Sequence, residues 1–109
     1  MQRIDERLRS PGVDRLFDAI LTLQTVEECY RFFHDLLTIG EIQSFAQRFE
    51  AACMLADGRT YDEVVKKTGM STATVSRIKR FLHYGADGYR LAIARLNAVS
   101  RTALDPREE

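Results

Sequence analysis

A chain of 109 residues with 45% apolar side chains is long enough for one packed domain and too short for two. Lys and Arg match Asp and Glu at 16 each, so the molecule as a whole lacks the basic excess of many nucleic-acid binders. No apolar run approaches the roughly 18 residues of a membrane span. The charged stretch Met1 to Ser10 lacks a signal-peptide apolar segment, which predicts a soluble protein of the cytoplasm.

The neutral total hides a split. From Met1 to Gly58 ten acidic side chains stand against six basic ones, whereas Arg59 to Tyr84 carries Arg59, Lys66, Lys67, Arg77, Lys79 and Arg80 against Asp62 and Glu63. Screening confines charge effects to about 8 Å at physiological salt, so distant acids do not cancel this local excess. Cys29 and Cys53 lack a CxxC partner or a His at metal-ligand spacing. Both are expected as small buried hydrophobes in a reducing compartment, with no metal and no cofactor.

Apolar positions recur with a helical period nearly throughout, predicting an all-α fold of six helices. Ser10 can cap and Pro11 can open the first, which places Val13, Leu16, Phe17, Ile20 and Leu23 along one side and is expected to stop near Gln24. Thr25 to Glu28 has the spacing of a capping box and starts the second. In it Val26, Cys29, Tyr30, Phe32, Phe33, Leu36 and Leu37 cover an arc of roughly 160°. A second box, Thr38 to Glu41, opens a long third helix with Ile42, Phe45, Ala46, Phe49, Ala52 and Cys53 facing inward and Gly58 as its stop. Wide apolar faces on the first helices exceed what a small monomer covers, which predicts a dimer formed through residues 13–58.

A third box, Thr60 to Glu63, opens a short fourth helix that ends at Gly69; Met70 and a Ser71 or Thr72 cap lead into a fifth, closed by Gly85. A last helix over 87–99, capped by Asp87, presents Leu91, Ile93, Leu96 and Val99, and 102–109 reads as a polar tail. The segment Thr60 to Leu82 has helix-turn-helix spacing. Val64 and Val65 bury the first helix, Gly69 frees the backbone to reverse, Met70 plugs the corner, and Val75 and Ile78 pack the second helix back.

In such a motif the second helix enters the major groove by its N-terminal end. Ser71, Thr72, Ala73, Thr74, Ser76 and Arg77 are therefore candidates at the DNA. Hydroxyls bond to bases or phosphates, Ala73 meets a thymine methyl, and an arginine binds guanine O6 and N7. Lys66, Lys67, Lys79 and Arg80 are the phosphate candidates. A protein-interaction module that keeps the shape without reading DNA is the alternative, and its signature would be a neutral or apolar recognition face. No nucleophile with a base, no paired carboxylates and no phosphate loop point to an enzyme.

From Leu16 to Leu96 the sequence resembles the Trp repressor superfamily, in its YerC/YecD branch. The resemblance rests on Glu27-Glu-Cys-Tyr-Arg-Phe-Phe33, Leu37-Thr-Ile-Gly-Glu-Ile-Gln-Ser-Phe-Ala-Gln-Arg48 and Gly69-Met-Ser-Thr-Ala-Thr-Val-Ser-Arg77. It implies an intertwined homodimer whose two reading heads address successive major grooves of a pseudo-palindromic operator. It also implies a ligand pocket, since a threonine and two arginines that hold tryptophan in Trp repressor match Thr38, Arg48 and Arg77. Ile78 departs from the pattern, standing where Trp repressor has a glycine that leaves room for the indole. Tryptophan is therefore not expected as co-repressor, and the identity of any small-molecule effector stays open.

Overall fold

The computed structural model describes residues 4–102, with side chains to Val99. After a single 3-10 turn at Glu6–Leu8 come six α-helices: α1 (Pro11–Leu21), α2 (Val26–Leu36), α3 (Ile39–Ala56), α4 (Tyr61–Thr68), α5 (Thr72–Tyr84) and α6 (Gly88–Thr102). The described residues include no strand. The expected polar tail lies outside them, apart from Thr102, the last residue of α6.

The starts follow local chemistry. Ser10 accepts from the Val13 amide at 3.1 Å, and Pro11, lacking a donor that would go unused, opens α1. The helix ends three residues before Gln24 because its last turn tightens: the Thr22 hydroxyl and amide both bond to the Ala19 carbonyl. At Thr38 the capping box is complete, with Glu41 N bonded to Thr38 Oγ1 at 3.1 Å and Thr38 N to Glu41 Oε1 at 2.9 Å. At Thr25 only half of it forms. The hydroxyl takes Glu28 N, but the Glu28 carboxylate reaches one residue further back, to Gln24 N at 2.9 Å.

The described residues divide into two compact units, 4–46 and 47–102, with the boundary inside α3. In the second, Ala51, Ala52 and Leu55 of α3, Val64 of α4, and Val75, Ile78 and Leu82 of α5 form the core, with Met54, Tyr61, Val65, Met70, Tyr89 and Ile93 around it. Val64 and Val75 are fully buried. Burying such a side chain contributes about 1.5–3 kcal/mol.

The first unit has no buried residue. Leu21 is 81% exposed, Val26 72%, Tyr30 69% and Ile39 63%. Phe45 and Ala46, expected to face inward, are exposed, Phe45 at 49%. Cys29 is a correction of the same kind: it is exposed, beside Val26, Tyr30, Phe33 and Ile42 in an open apolar groove of about 290 Å³. Cys53 is half-buried, and burial with the nearby Glu50 charge pushes its thiol pKa up.

Candidate nucleic-acid interface

The segment from Thr60 to Leu82 folds as two helices joined by a tight corner. Thr60 and Glu63 form the reciprocal capping box that starts α4, and the backbone bond from Thr60 N holds the Glu63 carboxyl below the ordinary glutamate range. Gly69 ends α4 at φ 74°, a left-handed backbone suited to glycine, and its amide bonds to the Val65 carbonyl at 2.8 Å. Thr68, which the pattern alone did not single out, ties the corner: its hydroxyl donates to Val64 O at 2.7 Å and accepts from Met70 N at 3.2 Å. Met70 packs against the core as the spacing predicts.

Ser71, not Thr72, caps α5. Its hydroxyl accepts from Thr74 N at 3.1 Å and shares a 2.9 Å hydrogen bond with the Thr74 hydroxyl, so two of the predicted DNA contacts are engaged with each other. Thr72, Ala73, Ser76, Arg77, Lys79 and Arg80 are exposed, and Thr74 is half-buried. Projected at about 100° per residue, the six exposed side chains fill an arc of roughly 160°, while Val75, Ile78 and Leu82 occupy roughly 60° on the other side. The exposed face is thus hydroxyls, a methyl and cations, and the packed face is wholly apolar.

Lys66 and Lys67 are exposed at the end of α4. Lys67 lines a cleft of about 590 Å³ with Glu50, Asp57, Arg59 and Asn97, and Lys79 Nζ lies 5.1 Å from the centre of the Tyr61 ring. This cation–π contact links α4 to α5 beside the apolar core that packs them, a role for Tyr61 that its sequence position did not signal. Arg59 is held by Glu63 at 3.2 Å. Among the described residues none of Lys66, Lys67, Arg77, Lys79 and Arg80 pairs with a carboxylate. Thr38 belongs to the first unit and serves as the cap of α3; Arg48 and Arg77 belong to the second, and both are exposed. Ile78, by contrast, is 4% exposed and part of the core.

The described residues hold no group of three or more metal-ligating side chains, and none of their helices is long and apolar enough to cross a membrane. Known proteins share this arrangement. The sequence profile of the family described as Trp repressor protein matches residues 11–97. The uncharacterized protein YerC of Bacillus subtilis (strain 168) is 55% identical over 91 residues, 84% of this chain and 88% of YerC. The crystal structure of a TrpR-like protein from Eubacterium eligens ATCC 27750 superposes with a TM-score of 0.82 at 49% identity, covering 85% of this chain and 96% of that one. A crystal structure from Staphylococcus aureus gives the same score and identity over 88% and 96%. Six helices, a helix-turn-helix with a basic face, and a family match over most of the length agree: the chain belongs to the Trp repressor family, a family of DNA-binding regulators.

Proposed function

We propose that this protein is a sequence-specific transcription regulator that binds double-stranded DNA as a homodimer and represses by occupying a pseudo-palindromic operator in the cytoplasm. The observation that carries the reading is the exposed face of α5, with small residues toward its N-terminus and, on α4 and α5, five cations that form no ion pair with a carboxylate among the described residues. Small side chains permit close approach to base edges, and cations that neutralise phosphates release counterions. A protein-interaction module would present a neutral or apolar face instead.

In this reading residues 13–58 supply the dimerisation helices, 60–82 the reading head and 87–99 a supporting helix, within one domain. The absence of a core within 4–46 supports it, because exposed apolar surface of that extent is what a second copy covers. The buried Ile78 supports control without tryptophan, since the side chain at that position is already part of the core.

Selection from random duplex DNA is expected to enrich a sequence with two half-sites. Arg77→Ala is expected to relax preference at one position in each half-site, and Arg80→Ala to weaken all sites alike and flatten the salt slope. Failure to enrich any sequence overturns the reading. Calorimetric titration with tryptophan is expected to give no heat of binding; tight binding would refute the part assigned to Ile78.

A further inference from the structure

The last carbonyls of a helix lack intrahelical donors. At the end of α5 they are met from another helix. Arg90, in the first turn of α6, donates from Nε to the Leu82 carbonyl at 2.9 Å and from Nη2 to the His83 carbonyl at 3.1 Å. These bonds reach across eight and seven residues, whereas the caps described above span at most four. The guanidinium is a rigid planar fork, so two simultaneous bonds fix direction as well as distance, and its charge lies at the negative end of the α5 dipole.

The corner it spans has little slack. Gly85 N bonds to the Phe81 carbonyl at 2.9 Å, and a Cβ on Gly85 would overlap that same oxygen. Asp87 adopts φ 65°, and its carbonyl takes the amide of Leu91 at 2.9 Å as α6 begins. Tyr89 and Ile93 then pack α6 onto the core.

We propose that Arg90 is a positioning residue for DNA reading: it touches no DNA, but clamps the C-terminal turn of α5 to α6 and so sets the angle at which the N-terminal turn of α5 meets each half-site. The inference rests on the DNA-binding reading above. A 13-residue helix is about 20 Å long, so a swing of about 10° at one end carries the other by about 3.5 Å, more than the length of a hydrogen bond. The two heads of a dimer would both lose aim. Half-site spacing is then the property most sensitive to the clamp.

The test uses the full chain and the duplex it selects, with Arg90→Met, which removes the donors, and Arg90→Lys, which keeps the charge but not the fork. Both variants are expected to bind roughly tenfold more weakly, comparable to losing one bidentate base contact. Both are expected to keep the wild-type salt slope and to tolerate half-site spacings that the wild type rejects. A slope lowered by about 1.8, at about 0.9 per phosphate contact for two copies, with recovery in Arg90→Lys, would make Arg90 a phosphate contact and overturn the proposal. So would wild-type affinity and spacing in both variants. Free solvent exchange of the Arg90 Nε–H in the DNA-free protein by NMR would overturn it as well, and slow exchange supports it. Circular dichroism checks folding; if Arg90→Met is unfolded, Arg90→Lys decides. If the wild type selects no duplex, the DNA-binding reading falls and this inference with it; if it does and the variants match it, only this inference falls.

Discussion

Arg77 and Ile78 are neighbours in sequence with opposite surroundings, one on the solvent-exposed face of α5 and the other 4% exposed in the core. Ile78→Ala is expected to cost about 2–5 kcal/mol and Ile78→Val about 0.5–1.5 kcal/mol, read from urea midpoints at unchanged slope. An Ile78→Ala cost below about 1 kcal/mol would show that the site is not packed as described. Gly69, at φ 74°, makes a second prediction: Gly69→Ala has open space for its methyl but not for its backbone, and is expected to lose about 1–2 kcal/mol by the same measurement. Both roles were legible from spacing, because a glycine before an inward Met and an apolar residue three positions after a Val each answer a local geometric need. Thr68 was not. A threonine whose hydroxyl bridges two backbone groups around a corner looks, in sequence, like any threonine at a helix end.

At the scale of elements, the helix starts are set by hydroxyl and carboxylate pairs. Thr60→Ala is expected to cost about 1 kcal/mol, the ordinary loss at an N-cap. The carboxyls of Glu41 and Glu63 are held below the usual glutamate value, first by the backbone amides of Thr38 and Thr60. Their contribution is present above the pKa of an unfolded-chain glutamate and is lost as the pH falls through the lower folded-state value. Thermal melts between neutral pH and pH 3 are expected to fall on the acid side, with a shallower fall for Glu63→Gln; identical acid limbs would count against the linkage. Capping boxes were readable because their partners lie three residues apart, although the sequence did not reveal that Glu28 would bond to Gln24. The Arg90 clamp was unreadable because its partners are backbone carbonyls on another helix, which carry no sequence signature.

The whole molecule has one unit with a core and one without. In the unit of residues 4–46 the pattern identified which side chains are apolar but placed several of them inside, since a helical period shows which face is oily and not which molecule covers it. Phe45 and Cys29 are the cases in point. Sedimentation at micromolar concentration is expected to give a dimer, with a melting temperature that rises with concentration. Val26→Glu, which puts a charge on the apolar face of α2, is expected to shift the species toward monomer. A wild type that stays monomeric would refute the dimer.

Cys29 turns this geometry into a reporter. Its thiol stands in the open on the single chain, within a groove that a second copy would close, while Cys53 is half-buried and its thiol resists ionisation. For a dimer that closes over this groove, as proposed above, alkylation reads assembly directly. Dilution should speed modification of Cys29 without changing Cys53, and once a bulky maleimide occupies that groove the two subunits can no longer close over it. A single modification, chosen by the subunit equilibrium itself, would trap the chain in its unassembled form.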